Sequence, residues 1–443
     1  MPGLILSAPA SGSGKTTVTL GLLRAFAQSG AEVRGAKSGP DYIDPRFHEA
    51  ACGRPCPNLD AWAMGSAQIR ALAAGPGLLL IEGAMGLFDG APPDGRGATA
   101  DLARQLSLPV VLVIDAGRMA QSVAPLAAGF ARHDPQVRVA GVILNRVGSD
   151  KHAAMLRSAL SGVGLPVLGE LRRDAGLAHP SRHLGLVQAG ERPDLDAFLD
   201  RAARAVTAGV DLAALTELAG PMPDLGSAHS APTSGPTAGP TPPPPAQTIA
   251  LAQDGAFAFA YPHHLAEWHA AGAEIRPFSP LADDLVPEAD LTLLPGGYPE
   301  LHAPRLAAAT TFLSSLRHVA ARGAVYGECG GYMVLGKALI DAEGRRHQMA
   351  GLLPLVTSFE RRRLSLGYRR VTAASGPMPG VWRAHEFHYA TEVEARGAPL
   401  FTAQDAEGTA LPPMGLIQDR VAGSFAHLIA RDTGDLPFPE AGN

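Results

Sequence analysis

A glycine-rich stretch near the N-terminus, "SGSGKTT", has the composition of a loop that holds phosphate. The usual pattern is G-x-x-x-x-G-K-[ST], and here Pro9 stands in place of the first glycine. Residues 12–14 still supply the small side chains that let the backbone approach a phosphate. We therefore expect the loop to bind a nucleotide, with Lys15 on the β- and γ-phosphates and the Thr16 hydroxyl on Mg²⁺.

Acidic side chains follow apolar stretches elsewhere in the N-terminal half. Asp41 and Asp44 lie in "SGPDYIDP", Glu82 comes directly after "LLLI", and Asp89 follows seven residues later. A carboxylate at a strand end beside a phosphate loop is the expected partner of a Mg²⁺ ion. The alternative for Asp41 is that it only forms a turn.

An amide side chain, Asn145, ends the apolar run "VILN". At the end of a strand it could hydrogen-bond the adenine edge of a nucleotide, or it could cap a loop. The predicted ATP-binding residues are Gly12, Ser13, Gly14, Lys15, Thr16, Thr17 and Asn145.

A possible nucleophile lies in the C-terminal half, in "AVYGECGGYMVLG". The pattern places Cys329 on a sharp turn between a buried strand and a helix, as in the nucleophile elbows of hydrolases. The glycines around it permit such a turn, and we expect the helix N-terminus to lower the pKa of the thiol. The alternative is a buried structural cysteine.

A cysteine that attacks an amide needs an oxyanion hole and a base. The N–H groups of Gly297, in "LLPGGYPE", and of Gly330 are candidate oxyanion donors. Three histidines are candidate bases: His427 in "GSFAH", and His385 and His388 in "HEFHYA".

Both groups of residues are embedded in repeated strand–helix units. The runs "LLLIEG", "PVVLVIDA", "VAGVILNRV" and "LPVLGEL" are apolar without alternation, which indicates parallel strands covered on both faces by helices. We predict an α/β protein with an N-terminal P-loop domain at residues 1–219 and a second α/β domain at 249–443. Residues 220–248, rich in Pro, Gly, Ser and Thr, form the predicted linker.

The composition limits the possible partners and location. The net charge of -5 gives no electrostatic reason to expect nucleic acid or an anionic membrane. The apolar runs are strand-sized and the N-terminus lacks a basic signal region, so we expect a cytoplasmic protein. Cys52 and Cys56 lack further ligands at zinc spacing, and we interpret them as structural, together with His263, His264 and His269.

Several motifs of the first half resemble one known family. The stretches "SGSGKTT", "SGPDYIDP", "NLDAW", "IEGAMGLFDG", "ILNRV" and "HLGLV" resemble the ATP-binding domain of cobyrinic (or hydrogenobyrinic) acid a,c-diamide synthases, which are similar in fold to dethiobiotin synthetase. The resemblance implies that Thr16, Asp41 and Glu82 hold Mg²⁺. It also implies that three residues face the carboxylates of a corrin, namely Tyr42, Ile43 and Asp89.

The second half resembles the class I glutamine amidotransferase domain that is fused to cobyrinate and cobyric acid synthases, with a flavodoxin-like fold. The stretches "DGAFAFAY", "PFSPLADD", "PGGYPE", "GECGGYMVLG" and "HEFHYA" carry this resemblance. It implies that Cys329 is the nucleophile and His427 the base. The usual glutamate two residues after the base is replaced by Ile429, which leaves the third member of the triad open. His385 and His388 are then interpreted as structural or as part of a domain interface.

Together the two halves imply glutamine-dependent amidation of a corrin at its a and c acetate side chains, powered by Mg-ATP. The resemblance implies ATP, glutamine and a corrin carboxylate as ligands, and a homodimer, and we favour a metal-free corrin. A cobyric acid synthase and a nickel-tetrapyrrole diamide synthase are alternatives. A partition-type ATPase switch with an inactive amidotransferase domain is a third, although Ala10 replaces the signature lysine of those ATPases.

Overall fold

The computed structural model describes residues 2–177, 188–221 and 243–434, and the backbone of 181–182 and 185–186. The described residues up to 221 belong to one compact unit, and those from 243 onward belong to a second. The stretch "HLGLV" and most of the predicted linker lie outside the residues whose side chains are described. No helix among the described residues is both long enough and apolar enough to cross a membrane.

A parallel sheet forms the centre of the first unit, as the apolar runs predict. Its strands are buried along most of their length because helices cover both faces. The strand order is Asn58–Leu59, Val33–Ser38, Leu78–Glu82, Pro2–Ser7, Val110–Asp115, Val139–Val147 and Val167–Arg172. The α-helices are Lys15–Gln28, Asp44–Cys52, Ser66–Ala73, Thr99–Leu106, Val123–His133, Asp150–Ser161, Leu195–Gly209 and Leu212–Leu218.

Both ends of the predicted linker take part in sheets. Gly220–Pro221 pairs antiparallel with Pro2 and Gly3 at the start of the first strand. At the other end, Thr248 is the first residue of the strand Thr248–Ala252. The predicted boundary between the two domains, within residues 220–248, stays a prediction.

A second parallel sheet carries the candidate cysteine. Five strands run parallel and the last pairs antiparallel at the edge. Their order is Glu274–Phe278, Thr248–Ala252, Leu291–Leu294, Ala324–Glu328, Val421–Ser424 and Leu416–Gln418. The α-helices of this unit are Pro262–Ala270, Ala303–Ala308, Thr310–Ala320 and Gly330–Leu335.

Two further sheets of the second unit were not anticipated by the strand–helix pattern. One has the order Arg346–Gln348, Ala338–Ile340, Leu355–Ser358 and Thr391–Ala395. The other, fully antiparallel, has the order Ala410–Met414, Phe401–Gln404, Ser365–Ala373, Gly380–His388 and Ala426–Arg431. The strand with His427 therefore belongs to this antiparallel sheet, next to the strand that ends with His388.

Candidate active sites

The phosphate loop is shaped by glycines in the left-handed region. Gly12 has φ +81° and Gly14 has φ +88°, a conformation that L side chains rarely adopt. Gly14 directly precedes the helix Lys15–Gln28, so the N–H groups of its first turn face the loop. The replacement of the entry glycine by Pro9 leaves this geometry intact, which agrees with the predicted nucleotide loop.

Asn145 supports the loop from a neighbouring strand. Its Nδ2 group donates a hydrogen bond to the Ser13 carbonyl oxygen at 2.9 Å. A Cβ on Gly14 would lie 2.2 Å from the same nitrogen, so a side chain there would displace Asn145 from this contact. Of the two predicted roles, the structure shows the one in which Asn145 caps a loop, and the contact with adenine stays a prediction.

Thr17, another predicted ATP-binding residue, contacts a more distant part of the chain. Its hydroxyl donates to the Leu177 carbonyl oxygen at 3.4 Å.

Lys15 and Thr16 reach residues of the strand end that carries Glu82. The Lys15 ammonium donates to the Met85 carbonyl oxygen at 2.5 Å, and the Thr16 hydroxyl donates to Glu82 Oε1 at 2.6 Å. Burial lowers the pKa of Lys15, and the Glu82 carboxylate opposes this effect. The predicted partners Thr16 and Glu82 are thus brought together beside the lysine that is expected to contact phosphate.

A buried lysine that was not predicted joins the acidic residues. Lys37 Nζ lies 2.5 Å from Asp44 Oδ2, 2.9 Å from Glu82 Oε1 and 3.9 Å from Asp41 Oδ2. Burial alone would lower its pKa, but these carboxylates raise it well above the ordinary value. The sequence signal was a single lysine inside an otherwise buried strand, where an unpaired charge would be very unfavourable.

The far side of Glu82 is held by His48. Glu82 Oε2 lies 2.6 Å from His48 Nε2, and His48 Nδ1 lies 3.3 Å from the Cys56 sulfur. All three side chains are buried. Burial would raise the pKa of Glu82, but Lys37 and His48 hold it well below the ordinary value. Cys56 is therefore a structural neighbour of the site, as interpreted from its spacing.

The oxygens of Thr16 and Glu82 suit Mg²⁺, which prefers hard oxygen donors and usually binds one or two carboxylates together with substrate phosphates. Asp41 is placed differently, because its Oδ1 accepts the N–H groups of Ile43 and Asp44 at 2.8 and 3.1 Å. Burial, together with Asp44, raises the pKa of Asp41 to about 7. Among the described residues, no group of three or more His, Cys, Asp or Glu side chains is placed to hold a metal ion.

The residues predicted to face a corrin differ in exposure. Tyr42 and Ile43 are buried, whereas Asp89 is exposed. Asp89 Oδ2 accepts the Gly86 N–H at 2.9 Å and so holds the turn that presents the Met85 carbonyl to Lys15. Their contact with substrate stays a prediction.

Cys329 occupies a strained turn in the second unit. It lies between the strand Ala324–Glu328 and the helix Gly330–Leu335, with φ 47° and ψ −102°. This backbone conformation is unfavourable for a residue with a side chain and is typical of functional positions. A Cβ on Gly331 would lie 1.9 Å from the Leu294 carbonyl oxygen, so the turn requires glycine there. The geometry agrees with the predicted nucleophile elbow.

The predicted direction of the Cys329 pKa was wrong. Burial raises the pKa of this thiol well above its ordinary value, and the Glu300 and Glu328 carboxylates raise it further. The Gly330 N–H acts in the opposite direction but does not prevail. The helix that follows has only six residues, and desolvation of a buried thiolate outweighs its N-terminus. The protonated thiol of Cys329 is therefore the favoured form in the folded protein.

The two predicted oxyanion donors are adjacent. A Cβ on Gly330 would lie 3.0 Å from the Gly297 nitrogen, and a Cβ on Gly297 would lie 1.9 Å from the Ala256 carbonyl oxygen. Within the described part of the chain, the Gly297 N–H donates no backbone hydrogen bond in turns and loops. The two glycines therefore lie next to each other at the turn of Cys329, and their role as oxyanion donors stays a prediction.

His427 is fully buried, with its ring against the backbone of Gly296. A Cβ on Gly296 would lie 2.2 Å from His427 Cε1, so only glycine leaves room for the imidazole. Burial lowers the pKa of His427 to about 3, with contributions from His385 and His388. The imidazole is therefore neutral at pH 7, the form required of a general base.

The other histidines have structural partners. His388 Nε2 lies 2.8 Å from Glu386 Oε1, and the Arg369 guanidinium binds the second Glu386 oxygen at 2.8 Å. His263 Nε2 lies 2.8 Å from the Ile429 carbonyl oxygen, beside the strand of His427. These contacts agree with the interpretation of His263 and His388 as structural.

A carboxylate that was not predicted lies next to His427. Glu328 Oε2 is 3.8 Å from His427 Nδ1, and Glu328 Oε1 accepts the Leu428 N–H at 3.2 Å. Burial raises the pKa of Glu328 to about 8. Ile429, which replaces the usual glutamate, is fully buried. The sequence signal for Glu328 was an acidic residue directly before the cysteine, at the end of a buried strand.

The phosphate loop with its buried acids, and the cysteine elbow with its histidine, define a nucleotide-dependent glutamine amidotransferase. Residues 4–187 match the family described as CobQ/CobB/MinD/ParA nucleotide binding domain, and residues 248–434 match the CobB/CobQ-like glutamine amidotransferase domain. The chain belongs to the hydrogenobyrinate a,c-diamide synthase family, since it aligns almost end to end with proteins of that name.

Three such relatives illustrate the similarity. The proteins of Rhizobium meliloti (strain 1021), Rhodobacter capsulatus and Mesorhizobium japonicum are 54%, 53% and 50% identical to this chain. Each alignment covers 97% of the chain and 99%, 98% and 98% of the respective relative. Each relative is named hydrogenobyrinate a,c-diamide synthase. A solved structure titled "Crystal structure of glutamine amidotransferase" is similar with TM-score 0.30 and 14% identity, over 40% of this chain and 89% of that one.

Proposed function

We propose that this enzyme uses ATP and glutamine to amidate the a and c acetate side chains of hydrogenobyrinic acid, a metal-free corrin. The observation that carries the proposal is the presence of both sites in a chain at least 50% identical to synthases of that name over 97% of its length. The two sites supply the two halves of the chemistry.

The amidotransferase unit supplies ammonia. His427 takes the proton of the Cys329 thiol, and the thiolate attacks the side-chain amide carbon of glutamine. The N–H groups of Gly297 and Gly330 stabilise the oxyanion that forms. Ammonia leaves with the proton from His427, and water then releases glutamate from the thioester.

The nucleotide-binding unit activates the carboxylate. An oxygen of the acetate side chain attacks the γ-phosphorus of ATP, which gives an acyl phosphate and ADP. Ammonia then displaces phosphate and forms the carboxamide. Lys15 and the loop N–H groups neutralise the phosphate oxygens.

The Thr16 hydroxyl and the Glu82 carboxylate would hold the Mg²⁺ that accompanies ATP, and the ion would neutralise charge on the phosphates. Asp41 is the predicted third group. Tyr42, Ile43 and Asp89 are proposed to lie near the corrin. A homodimer and a cytoplasmic location stay predictions of the family resemblance.

Mass spectrometry of the products tests this proposal. The enzyme is incubated with Mg-ATP and glutamine and, in parallel, with hydrogenobyrinic acid or cobyrinic acid. Two successive replacements of a hydroxyl by an amino group are expected, faster on the metal-free corrin. A faster reaction of the cobalt corrin would contradict the substrate assignment, and amidation of neither would contradict the function.

A further inference from the structure

The amidotransferase site contains a carboxylate placed to orient its base. We infer that Glu328, the residue directly before the nucleophile, positions His427 and so replaces the carboxylate that Ile429 does not provide. The inference rests on the proposed roles of Cys329 and His427. It assigns to Glu328 a positioning role and no contact with substrate.

Two contacts fix the Glu328 carboxylate beside the imidazole. Oε1 accepts the backbone N–H of Leu428, the residue that follows His427, at 3.2 Å. Oε2 lies 3.8 Å from His427 Nδ1. Because one oxygen is tied to the strand of the histidine, the other is held on the Nδ1 side of its ring.

A distance of 3.8 Å is longer than a hydrogen bond, and a shift of less than about 1 Å would close it. Such contacts are often long in enzymes without substrate and tighten in the reacting complex. Glu328 also borders a cavity of about 20 Å³ lined by Tyr261, Trp268 and Leu293. The Glu328 side chain therefore has free volume beside it on the face that borders this cavity.

The neighbouring groups leave this role to Glu328. His385, which pairs with His427 across the sheet, has its pKa lowered to about 4 by burial and by Arg369, so it is neutral at pH 7. The Glu386 carboxylate is engaged by Arg369 and His388. Neither group offers a carboxylate to Nδ1.

The inferred contact would set the tautomer of the base. If Nδ1 keeps its proton and donates it to Glu328, Nε2 is left without a proton and can accept the one from the Cys329 thiol. Glu328, which burial keeps mostly neutral at pH 7, acts by accepting the Nδ1–H hydrogen bond and so holds the ring when the imidazolium forms. The proton that leaves Cys329 stays on Nε2 until it is given to ammonia.

The variant Glu328→Gln tests the inference, because glutamine has the same shape and keeps an acceptor for the Leu428 N–H. The kcat of glutamine hydrolysis should fall by about 10²-fold, less than the roughly 10⁴-fold loss known for a closely bonded triad carboxylate. The KM for glutamine should stay within about twofold, and amidation with ammonium chloride should be unchanged. Glu328→Asp should lower kcat less, because it keeps a carboxyl group but shortens its reach.

Three comparisons separate orientation from folding. Asp341→Asn, which removes another buried carboxylate of this unit, should leave kcat within about twofold, since Asp341 contacts Arg345 and His347. The double variant of Glu328→Gln with His427→Ala should be no slower than His427→Ala alone, because a positioning residue acts through the histidine. If Glu328→Gln fails to fold, Glu328→Asp is the test: a lowered kcat supports the positioning role, and an unchanged kcat overturns it.

The failures are distinguishable. An unchanged kcat in Glu328→Gln, with activity lost in His427→Ala, would overturn the role of Glu328 and leave the proposed function standing. Full glutamine hydrolysis in His427→Ala would instead overturn the proposed base. A loss in the double variant much larger than in His427→Ala would show that Glu328 acts on folding or on another group.

Discussion

The buried polar groups of the nucleotide-binding unit are paired as charges, whereas burial in the amidotransferase unit favours the neutral form of each reactive group. In the first, the Lys37 ammonium lies within 3 Å of the Asp44 and Glu82 carboxylates. In the second, burial raises the pKa of Cys329 and of Glu328 and lowers that of His427. Glu82 and Glu328 both end buried strands of a parallel sheet, so the sheet does not impose the difference.

The chemistry of the two ligands explains the difference. ATP carries its charge before and after the reaction, so a site with fixed ammonium groups is already matched to it. Glutamine has a neutral side-chain amide, and charge develops on the cysteine, the histidine and the amide oxygen only during the reaction. A site that keeps these groups neutral at rest limits reaction of the thiol with other molecules.

The largest effect expected is that of Cys329→Ser, which removes the nucleophile. Glutamine-dependent amidation should fall by at least about 10³-fold, while amidation with ammonium chloride should stay within about twofold. Both rates are measured by ADP release and by mass spectrometry of the corrin. Cys52→Ser is the control, because Cys52 lies in the other unit. Loss of both activities in Cys329→Ser would mean that the two sites do not divide the chemistry as proposed.

Lys15→Ala is expected to impair the nucleotide-binding site and leave the glutaminase site active. Amidation from glutamine and from ammonium should fall together by at least about 10²-fold, because phosphate loses its ammonium partner. Glutamine hydrolysis measured alone should persist. Lys337→Ala, which removes a half-exposed lysine paired with Glu394, is the matched control and should leave all rates unchanged. If Lys15→Ala amidated normally, the loop would not be the site of carboxylate activation.

The charge pairing of the first site is tested by Lys37→Met. Two buried carboxylates then lose their ammonium, which should lower the free energy of unfolding by about 3–5 kcal/mol. The measurement is calorimetry of the full chain, with the transition of the nucleotide-binding unit recognised by its rise with Mg-ATP. Arg54→Met, which breaks an exposed pair with Glu32, should change the same transition by less than about 1 kcal/mol. Equal effects would contradict a buried charge cluster.

Much of this arrangement could be predicted from the sequence, because continuous apolar runs and glycine turns are local signals. Glu82 and Cys329 were predicted at a strand end and a turn, and the structure places them there, while Thr16 lies in the first turn of the helix that follows the glycine loop. Lys37 and His48 were missed, since Glu82, the partner that they share, is distant in the chain and only the fold brings them to it. Glu328 was missed because the expected position for a third residue was that of Ile429, two residues after the base.

Burial of the reactive groups was also not predicted from the sequence. A helix start next to Cys329 suggested a lowered pKa, but the extent of desolvation depends on packing that a motif does not specify. The antiparallel strands of residues 365–431 were likewise not anticipated, although the strand Gly380–His388 alternates between buried and half-buried positions. Such an alternation is the usual signal of a half-covered strand.

The dependence of stability on pH is the most direct measure of neutral burial. The pKa of Glu328 is raised from 4.5 to about 8 in the folded protein. A carboxyl group whose pKa is raised on folding contributes stability that is fully present below pH 4.5 and is lost as pH rises through 8. Glu328→Gln does not titrate, so its free energy of unfolding relative to the natural protein should increase between pH 5 and 8, by at most about 1.4 kcal/mol per pH unit.

Above pH 8 to 9 the difference should level off, because Glu328 is then ionised in both the folded and the unfolded chain. Glu82, whose pKa is held well below its ordinary value, is ionised throughout this range and contributes no such slope, so any slope of the first unit comes from Asp41, whose pKa is raised to about 7. Calorimetry at several pH values, with the two transitions distinguished by Mg-ATP, measures both units in one experiment. A difference between Glu328→Gln and the natural protein that stays constant from pH 5 to 8 would mean that Glu328 is not held neutral. The contrast between the two sites would then rest on Cys329 and His427 alone.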